Sequence, residues 1–184
     1  KIVWPEEGLH KEADLEYVRN LYANLLKVKV DEENVYYISR KPVDEELWQY
    51  AMDEGFNIFS FTSDTIKCHV SWNECELFCK RLSNKLGTEF TLPTESQWET
   101  AVFNKTIIYN PTDYPEFSNT WATDSKGNKI NKKVVCRLRF TTDDNDSIRN
   151  MHLNYLQLSP NDKSQNISFR IVLNGKLVNG LVKQ

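Results

Sequence analysis

Between Val70 and Ala101 the chain carries two complete helix-start signals, and this pair limits its fold more than any other feature. Ser71 is followed three residues later by Glu74. A serine there accepts from a first-turn backbone N–H while the glutamate reaches back to the serine's own N–H, forming a capping box. Trp72, Cys75, Phe78, Cys79 and Leu82 then recur at helical spacing, and Gly87 is placed to end the helix. Thr94 and Gln97 repeat the box, and Pro93 just before them stops any helix arriving from upstream. Trp98, Ala101 and Val102 give the second helix its inward face. Two helices with fixed ends and a short connection must each bury a tryptophan, so Trp72 and Trp98 are read as anchors of the core.

The flanking segments predict a mixed α+β domain. Leu15, Val18, Tyr22, Leu25 and Leu26 mark a helix from Glu12 to about Lys27. Val35–Ser39 reads as a strand, and Asp44 to Asp53 as a helix closed by Gly55. Residues 56–70 read as a partly ordered loop. After Phe103 the helical signal stops. Strands are predicted at Val134–Phe140 and Phe169–Leu173, with a polar loop between them. Helices early and strands late suggest α+β. No repeat or low-complexity linker divides the chain, so residues 1–34 are read as a lead-in and helix packed on one globular unit, 35–184.

Composition narrows the function. Hydrophobic residues make up 40 % of 184, enough to support a core. The formal net charge of -3, with both signs mixed throughout, lacks the basic field that nucleic acid requires. No apolar run approaches the roughly 20 residues that cross a bilayer as a helix. Four cysteines, at 68, 75, 79 and 136, are too sparse for a disulfide-built scaffold. They remain open to three readings: core thiols, a long-range disulfide, or a metal site. His10, His69 and His152 stand far apart in the sequence and form no metal-ligand spacing. Asn-x-Ser/Thr sequons occur at Asn104, Asn145 and Asn166. The acidic run Asp143, Asp144, Asn145, Asp146 lacks the glycine and distal glutamate of an EF-hand loop and reads as a solvated loop.

The block VSWNECELFCKRLSNKLGTEFTLPTESQWETA resembles the central segment of formylglycine-generating enzymes and related sulfatase-modifying domains. Upstream, VYYISRKPVDEELWQYAM is similar to that family's opening strand and helix. Downstream, SNTWATDS, VVCRLRF and ISFRIVL resemble, in order, its Trp-containing segment, a strand and its closing Phe-Arg strand. The resemblance spans roughly residues 35 to 173. It implies a C-type lectin-like fold, here with an added N-terminal helix.

The resemblance also implies where chemistry belongs. Active members carry two copper-binding cysteines shortly after a Gly-Gly-Ser segment; the corresponding stretch here, TTDDNDSIRN, contains none. Family glycines are replaced by Ser118, by Leu138 and Arg139, and by Ser168. Calcium in relatives is held partly by the Trp-containing segment, which makes Asn119 and Asp124 candidate oxygen donors for a structural calcium; loop Asn and Asp read first as turn formers, and no other cofactor is expected. Arg170, on an otherwise apolar strand, needs a carboxylate partner if buried, and Glu95 or Glu99 is the expected one.

These features suggest a non-catalytic binding or assembly module that uses loops 104–168 against a protein or glycan. Tyr109, Tyr114, Phe117 and Trp121 are the candidate contact residues. The alternatives are a copper-dependent oxidase of sulfatase cysteines and a structural domain of a larger polypeptide. A chain opening on Lys1 fits either removal of a leader or a sequence trimmed from a longer one, and the family likeness points to a periplasmic or cell-surface location, including a lipoprotein.

Overall fold

The structure, a computed structural model, describes residues 12–31, 34–52, 65–109, 113–142 and 148–174. It is a mixed α+β fold with four helices and two four-stranded sheets among the described residues. The helices are α1 (Glu12–Ala23), α2 (Glu45–Met52), α3 (Trp72–Leu86) and α4 (Glu95–Phe103). The strands are β1 (Leu25–Lys29), β2 (Val35–Ser39), β3 (Phe90–Thr91), β4 (Glu116–Thr123), β5 (Lys129–Thr142), β6 (Ile148–Leu158), β7 (Ser168–Phe169) and β8 (Val172–Asn174).

Both capping boxes form as the sequence predicts. Ser71 accepts from the Glu74 N–H, and the Glu74 carboxylate accepts from the Ser71 N–H at 2.8 Å. Thr94 and Gln97 make the same exchange at the start of α4. Gly87 ends α3 in the left-handed region at φ 64, where a side chain is strained. Local chemistry was enough for these elements.

Four expectations need correction. The first helix stops at Ala23, because Leu25–Lys29 is a strand paired antiparallel with β2. Its last three residues, Lys27 exposed, Val28 buried and Lys29 exposed, alternate as an edge strand does, and the pairing with β2 runs from Leu25↔Ser39 to Lys29↔Val35. The lead-in drawn at residues 1–34 therefore contributes a strand to the same sheet as β2. The span between the two late strands is not all loop: β6 pairs with β5 from Lys133↔Leu158 to Thr142↔Ile148. Residues 116–123, not read as a strand, form β4. The closing strand splits in two. β7 lies parallel to β4 in one sheet, and β8 lies between β2 and β3 in the other. Gly55, residues 53–64 and the acidic run at 143–146 lie outside the described residues.

The sheets run in the orders β1-β2-β8-β3 and β6-β5-β4-β7. Strand alternation sends successive side chains to two separate cores. Phe117, Val135, Phe169 and Ile171 join α1, α2 and α3 around Trp72, Phe78 and Leu82. Val134, Cys136, Leu138 and Val172 pack with α4 around Trp98. The segment from Ser168 to Asn174 belongs to both sheets, and Arg170 sits where it passes from one to the other.

Candidate functional site

Arg170 is 2 % exposed and pairs with Glu116, which is fully buried. The Arg170 Nε donates to both Glu116 carboxylate oxygens, at 3.0 and 2.9 Å. A second guanidinium nitrogen donates to the carbonyls of Ser39 and Arg40, so the arginine also binds the end of β2. The expected partners, Glu95 and Glu99, are not the ones used. The parallel register Glu116↔Ser168 places Glu116 beside Arg170. Trp98 donates from its indole N–H to Glu116 at 2.8 Å, which joins α4 to the pair. Burial of both charges is tolerated because the carboxylate accepts from Arg170 and Trp98 while the guanidinium also donates to two main-chain carbonyls.

A second constellation lies around Lys133 on β5. Its side chain is 1 % exposed, and its ammonium stands 3.8 Å from the ring centroids of both Trp72 and Trp121. Those rings are 6.0 Å apart, so the ammonium lies between them. It donates to the Asn119 carbonyl at 3.1 Å and to Asn119 Oδ1 at 3.4 Å. No carboxylate lies within 4.0 Å of it among the described residues. Loss of water pushes its pKa down to about 8, partly opposed by Glu76 and reinforced by Lys129. Two indole faces replace the missing carboxylate, a cation–π contact of about 2 kcal/mol when desolvated. The Trp72 N–H donates to the Ser118 carbonyl, and the Ser118 hydroxyl donates to the Val134 carbonyl. The Ser118 hydroxyl thereby ties β4 to β5 side to side.

The candidate calcium donors are committed elsewhere. Both oxygens of Asn119 accept from Lys133. The Asp124 carboxylate accepts from the N–H groups of Lys126 and Asn128 and from the Asn128 amide, closing the turn between β4 and β5. These bonds hold its carboxyl below the usual range. A divalent ion about 4 Å from the Lys133 ammonium would be repelled by about 8 kcal/mol at an effective dielectric of 20. The residues as they stand do not fit calcium. Among the described residues, no group of three or more His, Cys, Asp or Glu could hold a metal.

The four candidate contact aromatics do not share a face. Phe117 is fully buried in the core. Tyr109 is 7 % exposed, packs edge-on to Trp98 at 5.0 Å and donates to the carbonyls of Asp113 and Tyr114. Burial and the Glu116 charge push its hydroxyl pKa up. Tyr114 is 41 % exposed, and Trp121 is half-buried against Trp72. Ile108, Tyr155 and Leu156, which the sequence reading passed over, are also exposed in the 104–168 region. The Tyr155 hydroxyl donates to Glu99 on α4.

All four thiols are free. Cys75, Cys79 and Cys136 are buried, and burial raises their pKa values, that of Cys79 to about 12. Cys68 is half-buried, with its pKa also raised. None is poised as a thiolate. His10 lies outside the described residues. His69 stands in the connection before α3, and His152 lies on β6. Beside Asn119, a cleft of about 530 Å³ opens between α3 and β3, lined by Glu76, Lys80, Asn84, Glu89 and Thr91.

Comparison with family models gives no match, and comparison with curated protein sequences gives none. Among solved structures the chain is similar to Treponema denticola variable protein 1, with a TM-score of 0.57 and 15 % identity over 82 % of this chain and 95 % of that one. At that identity the likeness is one of fold.

Proposed function

We propose that this chain is a non-catalytic binding or assembly module on a C-type lectin-like scaffold of the formylglycine-generating type, acting outside the cytoplasm against a protein or glycan. The observation that carries the reading is the position of the thiols. The stretch from Thr141 to Asn150, where the resemblance places a reactive pair, has no cysteine. The cysteines of the chain lie elsewhere, three of them buried and held protonated. A thiolate is needed both to bind copper and to react, and burial disfavours it. The fold likeness to Treponema denticola variable protein 1 supports the mixed α+β scaffold on which this reading rests.

The contact surface is assigned to the exposed part of 104–168, with Tyr114 and Tyr155 as its aromatic members. Buried Phe117 and Tyr109 support it from within. A glycan microarray and a panel of purified surface proteins, probed with wild type and with Tyr114→Ala/Tyr155→Ala, test the assignment. Selective binding that weakens at least tenfold in the double variant is expected. Binding untouched by both changes would remove this surface from the proposal.

A further inference from the structure

Asn119 and Asp124 are the two donors that the family likeness offers to a metal, and each already has a donor of its own to satisfy. The Asn119 case is unusual, because its partner is a charge brought in from the neighbouring strand. Lys133 lies on the inward face of β5, two residues from Val135, and is 1 % exposed. Its ammonium lies 3.8 Å from the centroids of both Trp72 and Trp121, and it donates to the main-chain and side-chain oxygens of Asn119. The link extends outward. The Asn119 N–H donates to the Pro93 carbonyl at 2.7 Å, and the Thr120 hydroxyl accepts from the Glu95 N–H at 2.9 Å. The start of α4 is thereby fixed to β4 at the residues that the ammonium holds.

We propose that Lys133 is the built-in cation of this site, its ammonium organising the oxygens of Asn119 in place of a bound calcium. A protein-borne charge makes the arrangement independent of metal supply. It also excludes a divalent ion, since the ammonium fills the space beside the only two oxygens that Asn119 offers. Two indole faces and two carbonyl-type oxygens suit a monovalent ammonium, while calcium takes six to eight oxygens, usually with carboxylates among them. The inference is independent of whether the chain binds a partner.

Thermal unfolding in millimolar calcium and in EGTA, with amide spectra that follow Asn119, tests it. The wild-type midpoint is expected to be the same in both, with the Asn119 signals unmoved. Lys133→Asp puts a carboxylate beside the same two oxygens. Its midpoint is expected to rise by several degrees with calcium and fall back with EGTA. The Lys133 Cε protons, lying over two rings, are expected far upfield of an ordinary lysine, a readout that needs no variant. A wild-type midpoint or Asn119 signal that responds to calcium overturns the proposal. So does a folded Lys133→Asp protein indifferent to calcium, or Lys133 Cε protons at their ordinary position.

Discussion

Arg170 and Glu116 form a fully buried ion pair in which one guanidinium nitrogen reaches both carboxylate oxygens, at 3.0 and 2.9 Å. The pair stands where the closing segment passes from one sheet to the other, and Trp98 and the end of β2 join it. Removing one partner strands the other in low dielectric. Glu116→Ala is expected to cost about 3–5 kcal/mol in urea unfolding. The double change Glu116→Leu/Arg170→Met removes both charges and is expected to recover part of that loss. A Glu116→Ala protein as stable as wild type would show that the pair does not hold the sheets together.

The helix caps give a smaller and separable effect. Ser71→Ala and Thr94→Ala each remove one acceptor from a first-turn N–H, at an expected cost of about 1 kcal/mol. Gly87→Ala forces a side chain into the left-handed region, at about 1–2 kcal/mol. Chemical denaturation midpoints measure all three, and the first two are expected to add, because the caps lie on different helices.

The Ser168 hydroxyl is buried without a hydrogen-bond partner among the described residues. Desolvating an unpaired hydroxyl costs about 1–3 kcal/mol. Ser168→Ala keeps the carbon skeleton and removes the hydroxyl, so it is expected to raise the melting temperature. A lower melting temperature would mean that the hydroxyl has a partner in solution.

The buried thiols are expected to lower stability at alkaline pH. Cys75, Cys79 and Cys136 have folded pKa values above the ordinary 9.0, so the unfolded chain loses these protons first. Their stabilising contribution is complete below pH 9 and declines as pH rises toward about 12, the value for Cys79. Lys133 works in the opposite direction. Its folded pKa of about 8 lies below the ordinary 10.5, so its cost is relieved between those values. Burial also raises the pKa values of Tyr17, Tyr22, Tyr36 and Tyr109, which act in the same direction as the thiols, so together they outweigh one lysine and unfolding free energy is expected to fall from pH 9 to pH 10.5. Stability that holds or rises over that interval would contradict the burial of the thiols.

What could be read from the sequence was set by local chemistry. The starts of α3 and α4 and the glycine stop of α3 need only neighbours within four residues, and all were legible. Strand β1 was hidden because Leu25 and Leu26 continue the stripe of α1, and only pairing with β2 makes them a strand. Strand β6 has few β-branched residues and takes its conformation from β5. The partner of Arg170 could not be found by proximity, because the parallel contact of β4 and β7 brings it beside Glu116, 54 residues away in the sequence. Lys133 did leave a signal. In KINKKVV the alternation places it on the same face as Val135, an inward position for a lysine.

The most direct measurement of the central claim is turnover. The copper-loaded protein would be incubated aerobically with a cysteine-containing sulfatase peptide and the product mass followed. The account predicts that the peptide cysteine is recovered unchanged, with no formylglycine above a protein-free control. Robust formylglycine formation that depends on the protein would contradict it.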